Sequence, residues 1–172
     1  MDSNYIKACL CAYFRFSKRC FHISTEVGRF NCDFLAISGE TSFEVEIKTS
    51  KEDLNADFRK AKHRIYEMKC DQWTPNYFYF CVPPELLDHA IAKCAGTKYG
   101  VMKAYSEDDK SKSKYMFKER ISVVKKAVKL HNNVVSDHLR KTVLARQSSE
   151  MANLRIKTVQ KNLQGVLHDF SK

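Results

Sequence analysis

Residues 41–49 read TSFEVEIKT, the cleanest alternation of apolar and charged residues in the chain. Its apolar residues Phe43, Val45 and Ile47 alternate with the charged residues Glu44, Glu46 and Lys48. A period of two is that of a β-strand, because successive side chains of a strand point to opposite faces of the sheet. The stretch therefore predicts a strand with one apolar face for a core and one charged face.

Two further strands are predicted immediately before this one. Residues 21–27 alternate apolar and polar side chains, with Glu26 on the polar side. Residues 30–38 are rich in strand formers and contain Asp33. Glycine-containing turns separate the three strands, which predicts a meander with an acidic residue on each strand.

The remaining elements are predicted on both sides of this meander. They are helices at 3–18, 51–70 and 85–94, strands at 77–82 and 99–104, and a helical region from 114 to the end. This order predicts an α/β (α+β) fold with a mixed central sheet of about four to five strands flanked by helices. We expect residues 1–105 to form the core and residues 106–172 a basic helical extension packed on or next to it.

Composition narrows the choice of partner. The chain has 172 residues, with 30 Lys+Arg against 20 Asp+Glu and a formal net charge of +10, which favours a polyanion such as nucleic acid. No apolar stretch is long enough to span a bilayer, and the first residues lack the order of a secretory signal, so we expect a cytoplasmic protein with no membrane partner. The seven cysteines contain no Cys-x-x-Cys pair, which indicates free buried thiols rather than a structural zinc site.

The acidic residues of the meander indicate a metal site. Hydrolysis of a phosphodiester needs charge neutralisation and an activated water, which Mg²⁺ can supply when a few carboxylates hold it. Glu46 and Lys48 are two residues apart on one strand and share a face, with the main-chain carbonyl of Ile47 between them. Glu46-Ile47-Lys48 alone is equally typical of a solvated strand face. The acids Glu26 and Asp33 on the preceding strands favour a site.

This pattern resembles a known superfamily. Asp33 followed by Glu46-Ile47-Lys48 is similar to the signature of PD-(D/E)XK nucleases, an Asp followed by (Asp/Glu)-x-Lys on adjacent strands. The wider runs EVGRFNCDFLAI (26–37), EIKTS (46–50), DLNAD (53–57) and YFYFCVPP (77–84) resemble the MmcB-type branch, which is associated with DNA repair and has relatives in phage and prophage genomes. The similarity covers roughly residues 20–105.

The resemblance implies a Mg²⁺- or Mn²⁺-dependent deoxyribonuclease with a restriction-endonuclease-like fold, acting in DNA repair or phage DNA metabolism in a bacterial or phage-infected host cytosol. By the resemblance, Glu26, Asp33, Glu46 and the main-chain carbonyl of Ile47 bind the metal, and Lys48 positions the attacking water. The resemblance also puts Asp53 and Asp57 on the next helix, facing this site.

Side chains next to this site are candidate nucleic-acid contacts, because a basic helix follows the site directly: Arg29, Lys60, Lys62, His63 and Tyr66. The alternatives for these side chains are a solvated helix face and, for Tyr66, packing. Three functions remain open: a DNA nuclease, a ribonuclease, and a catalytically silent DNA-binding adaptor with the same fold. A homodimer also stays open, because many nucleases of this superfamily dimerise.

Overall fold

The computed structural model describes residues 1–68, 71–109, 112–113 and 116–169. Within them, six strands form one mixed sheet in chain order. They are β1 (His22–Val27), β2 (Cys32–Ser38), β3 (Thr41–Ile47), β4 (Tyr77–Val82), β5 (Gly100–Ala104) and β6 (Ile121–Lys125). β1 to β3 are antiparallel, β3 to β5 are parallel, and β6 is antiparallel to β5. The predicted class, a mixed sheet flanked by helices, is confirmed, with six strands instead of four to five.

The helices are α1 (Ser3–Ala12), α2 (Lys51–Asp57), α3 (Ala61–Met68), α4 (Leu87–Cys94) and α5 (Asp137–Asp169). A π-helical turn at Tyr13–Ser17 extends α1, and short 3₁₀ turns at Pro84–Leu86 and Phe117–Arg120 precede α4 and β6. The single helix predicted over 51–70 is wrong, because the chain turns between α2 and α3. The Lys60 N–H donates to the Asp57 carbonyl in that turn. The predicted helix end at Cys70 lies outside the described residues.

The helical region predicted from residue 114 is wrong in its first part. Residues 121–125 form β6, residues 126–136 are irregular, and α5 begins only at Asp137. Ile121 and Val123 pack on the core as alternate residues of a strand. The predicted division after residue 105 therefore falls between two strands that pair in one sheet.

Both faces of the sheet are covered. On one face, Phe34, Val45, Ile47 and Cys81 pack against Ile6, Leu10 and Phe14 of α1 and its extension. On the other face, Phe78 and Phe80 pack with Leu54 of α2, Tyr66 of α3 and Ala90 of α4. Each fully buried Val, Leu, Ile or Phe side chain contributes roughly 1.5–3 kcal/mol. β3 lies between β2 and β4, so its charged side chains are buried with its apolar ones.

The N-terminal part of α5 packs on the three-stranded meander β1–β3. Leu139 and Val143 of α5 pack against Leu35 and Ile37 of β2, whereas residues 151–161 are exposed. Among the described residues, none of the helices combines the length and the apolar character that a membrane crossing requires. The six described cysteines are free and five of them are buried, as predicted, and Cys70 lies outside the described residues.

Candidate active site

A network of acidic and basic side chains lies between β3 and the helices α2 and α3. Its members are Asp33, Glu44, Glu46, Lys48, Asp53, Asp57, Lys60, Lys62 and His63. The β2–β3 register pairs Phe34 with Val45, and one further residue along it Asp33 stands opposite Glu46. Directly opposite residues of an antiparallel pair project to the same face. Asp33 and Glu46 therefore share the face that α2 and α3 cover.

Lys48 is the centre of this network. Its Nζ lies 3.1 Å from Glu46 Oε2, 2.8 Å from Asp57 Oδ2 and 4.0 Å from Asp33 Oδ2. A fourth carboxylate, that of Asp53, is 3.7 Å away. Burial alone would lower the pKa of Lys48, but the charges of Glu46 and Asp57 outweigh burial and raise that pKa above its usual value. Lys48 is therefore a buried, permanently charged cation at neutral pH.

Asp33 joins the network from β2. Its Oδ2 accepts the main-chain N–H of Ile47 at 2.8 Å, which fixes the carboxylate against the end of β3. Burial and the nearby charge of Glu46 raise the pKa of Asp33, and the Ile47 N–H and Lys48 oppose this rise. A carboxyl with a raised pKa gains from an additional cation, because a cation favours its charged form.

A second buried lysine, Lys62 of α3, binds the same face of β3. Lys62 Nζ lies 2.6 Å from Glu46 Oε1 and 3.1 Å from Glu44 Oε1, and the Tyr66 hydroxyl donates to Glu44 Oε2 at 2.7 Å. Burial raises the pKa of Glu44, an effect that Lys62 opposes. The two oxygens of Glu46 are thus engaged by two different lysines, Lys48 and Lys62.

Asp57 connects this network to a histidine and a tyrosine. Its Oδ1 lies 2.8 Å from His63 Nε2, and His63 Nδ1 lies 3.0 Å from the Tyr99 hydroxyl oxygen. Burial would raise the pKa of Asp57, but hydrogen bonds from His63, Lys48 and Lys60 hold it far below its usual value. Tyr99 directly precedes Gly100, where a Cβ would lie 2.3 Å from the Tyr79 ring. Only glycine allows β5 to approach β4 this closely beside Tyr99.

Glu26 is not in contact with Asp33 or Glu46 among the interactions of the described residues. Its φ of 49° turns the chain at the end of β1. The Glu26 carboxylate pairs with Lys7 of α1 and accepts a hydrogen bond from Asn31 at 3.1 Å. Lys7 is near enough to Asp33 to lower the pKa of that carboxyl. Glu26 therefore lies one side chain away from the network.

The predicted nucleic-acid contacts divide into two groups. Arg29 and Lys60 are about half exposed, although Arg29 pairs with Asp71 at 3.2 Å and Lys60 with Asp57. Lys62, His63 and Tyr66 are buried, at 2%, 5% and 2% exposure. In this structure these three hold neighbouring side chains in place and expose little surface to solvent.

Two members of the site were not predicted from the residue pattern. The alternation of β3 puts Glu44 beside Glu46, but nothing local shows that this face is buried. Tyr99 is far from His63 in sequence and carries no local signal, since the contact arises only when β5 docks on the sheet. Asp57 was expected to face the site from the resemblance alone.

The network contains carboxylates, the ligand type that a hard divalent cation prefers. Among the described residues, no group of three or more His, Cys, Asp or Glu side chains is arranged to hold a metal ion. Mg²⁺ is commonly bound by one or two carboxylates, with water and substrate phosphate completing its octahedral shell. Asp33 and Glu46 offer two such carboxylates on one face, beside the main-chain end of β3.

Comparison with known proteins gives information about the fold only. No protein-family model matches the chain, and no curated protein matches it. A solved structure that is similar is the SPO1766 protein of unknown function from Silicibacter pomeroyi, with a TM-score of 0.58 at 14% sequence identity. The match covers 93% of this chain and 92% of that one, so the similarity of fold extends over most of both chains.

Proposed function

We propose that the chain is a Mg²⁺- or Mn²⁺-dependent deoxyribonuclease of the PD-(D/E)XK type with a restriction-endonuclease-like core. The observation that carries this proposal is the convergence of Asp33, Glu46 and Lys48. The lysine Nζ lies 3.1 Å from Glu46 and 4.0 Å from Asp33 on one sheet face. The net charge of +10 supports a nucleic-acid substrate. A role in DNA repair or phage DNA metabolism rests on the sequence resemblance.

Each residue of the site has a separate task in this proposal. Asp33 and Glu46 hold the metal, which supplies charge neutralisation and an activated water when bound. Lys48 stays charged and stabilises negative charge that develops on the attacked phosphate. Asp57 holds the Lys48 ammonium in place at 2.8 Å. Lys62 orients Glu46 by binding Oε1, the carboxylate oxygen that Lys48 does not contact.

The decisive test is cleavage by Asp33→Asn. Purified wild-type protein with Mg²⁺ or Mn²⁺ should degrade DNA, and the variant should lose roughly 10²–10³-fold in rate or more, as when a single charge-stabilising group is removed. The Asn side-chain oxygen can still accept the Ile47 N–H, so the fold should persist. Asp88→Asn, on the exposed side of α4, is the matched control. Wild-type cleavage by Asp33→Asn would refute the assignment, and a parallel RNA digest identifies a ribonuclease.

A catalytically silent DNA-binding adaptor is the second candidate, and one observation favours it. Lys48, Lys60 and Lys62 already pair with Glu46 and Asp57, so these buried carboxylates are charge-balanced by the chain itself. Calorimetry separates the two functions. Absence of Mg²⁺ and Mn²⁺ binding together with salt-sensitive DNA binding supports the adaptor.

A further inference from the structure

A cavity of about 450 Å³ opens beside the candidate active site. Lys60 and His63 line it, and both also contact Asp57 of the buried network. The cavity and the network are therefore separated by a single layer of side chains. Its volume falls within the roughly 300–1,000 Å³ typical of small-ligand sites.

The rim of this cavity carries two uncommitted guanidinium groups. Arg59 and Arg64 line it and are exposed. Among the described residues, neither guanidinium forms an ion pair or a hydrogen bond, whereas Lys48 and Lys62 are each held by two or more carboxylates. Guanidinium groups bind phosphate in a bidentate geometry. The acid Glu67 also lines the cavity and reduces its positive potential.

The inner lining suits a base or sugar. The partly exposed ring of Phe58 is the main aromatic surface there. Tyr99 also lines the cavity but is only 2% exposed, and its hydroxyl is held by His63 at 3.0 Å. Aromatic surfaces beside cations are the usual platform for single-stranded nucleic acid. A base that is paired within a duplex cannot enter such a pocket unless it is first unpaired.

We propose that this cavity binds one unpaired nucleotide of the substrate strand, with its phosphate on Arg59 and Arg64. The identity of the ligand rests on the proposed nuclease function. The bound nucleotide lies next to the scissile phosphate at Asp33 and Glu46. Single-stranded or locally unpaired nucleic acid is then the substrate class.

Binding without metal tests this independently of cleavage. The probe is a fluorescent oligodeoxythymidylate of about ten nucleotides, a length that fits single-strand site sizes, titrated in EDTA. Arg59→Ala/Arg64→Ala should bind it about tenfold or more weakly, the loss expected for about 1.4 kcal/mol. The slope of log affinity against log salt should fall in magnitude by about 0.7, the value for one lost phosphate contact. The charge-matched control is Arg155→Ala/Lys157→Ala on the exposed part of α5.

Two comparisons test whether the cavity is specific for an unpaired nucleotide. Wild-type protein should prefer the single strand to a duplex of the same length, and the Arg59/Arg64 variant should lose this preference. Thymidine monophosphate should displace the probe at lower concentration than inorganic phosphate does. Equal displacement by inorganic phosphate, unchanged binding by the variant, or an equal loss in the α5 control would each overturn the proposal.

The nucleotide-pocket proposal and the nuclease-site proposal can be refuted separately. In EDTA, Asp33→Asn should bind the oligonucleotide at least as tightly as wild type, since Asp33 does not line the cavity and its carboxylate can only repel the phosphate when no metal is bound. If Asp33→Asn cleaves DNA normally while Arg59→Ala/Arg64→Ala loses binding, the nuclease site is wrong and the nucleotide pocket stands. Both arginines are exposed and unpaired, so circular dichroism should show an unchanged fold.

Discussion

The two faces of β3 are both buried, yet they have opposite chemistry. Toward α1, Val45 and Ile47 lie in an apolar core, where burial stabilises without directional requirements. Toward α2 and α3, Glu44 and Glu46 are 2% and 3% exposed and depend on specific partners. Buried charges carry a desolvation cost that their pairing often only offsets, so such a network is weak evidence for stability. The contrast between the two faces can be tested.

Lys62→Met should have the largest effect on stability. It leaves Glu44 and Glu46 as neighbouring buried carboxylates, and breaking a buried pair in this way costs roughly 3–5 kcal/mol. On the apolar face of the same strand, Ile47→Val should cost only about 0.5–1.5 kcal/mol. Urea unfolding at neutral pH measures both.

A second substitution shows whether charge is the cause. In Lys62→Met, Glu46 keeps its ion pair with Lys48, whereas Glu44 has none among the described residues. Adding Glu44→Gln removes this uncompensated carboxylate, so part of the lost stability should return. A Lys62→Met cost no larger than that of Ile47→Val would mean that the charged face behaves like the apolar one. The difference between the two faces would then be one of composition alone.

The same contrast explains which features of the site could be predicted from the sequence and which could not. The alternation of β3 correctly predicted which residues face the apolar core. It could not show that Glu44 and Glu46 are buried, because a solvated strand face has the same period of two. That burial depends on α3, whose Lys62 and Tyr66 are four residues apart and meet Glu44 together only after the helix docks.

Other errors have equally local causes. Ile121, Val124 and Val128 have helical spacing, but the pairing of residues 121–125 with β5 overrides that pattern. The turn between α2 and α3 contains no Gly or Pro, so its sequence carries no signal that predicts a turn. Glu26 as a metal ligand stays a prediction; its φ is positive, and its carboxylate pairs with Lys7 of α1.

Asp57→Asn should have an intermediate effect that depends on pH. At pH 7 the variant should lose about 1.5–3 kcal/mol, the range for a hydrogen bond to a charged group. The pKa of Asp57 is lowered by folding, so its contribution is complete well above its unfolded pKa of about 3.9 and is lost as the pH falls below that value. The difference between wild type and variant should therefore shrink as the pH falls from 7 to 3.

Urea unfolding at several pH values measures that difference. The raised pKa values of Asp33 and Glu44 act in the opposite direction, since their contributions weaken as the pH rises through the acid range. They are present in both proteins and largely cancel in the comparison. A difference that stays constant down to pH 3 would show that Asp57 is not held as a carboxylate by His63, Lys48 and Lys60.

Glu26→Gln should have the smallest effect, and it locates the edge of the charged face. The Glu26–Lys7 pair is partly exposed, and pairs of this kind contribute about 0–1 kcal/mol. Since Glu26 contacts Lys7 and Asn31 instead of Asp33 or Glu46, we expect cleavage to change by less than about threefold, or roughly 0.7 kcal/mol. A loss as large as that of Asp33→Asn would instead make Glu26 a metal ligand. Lys7→Met distinguishes the cases further: freeing a ligand would raise Mn²⁺ affinity, whereas removing a distant pair would leave it unchanged.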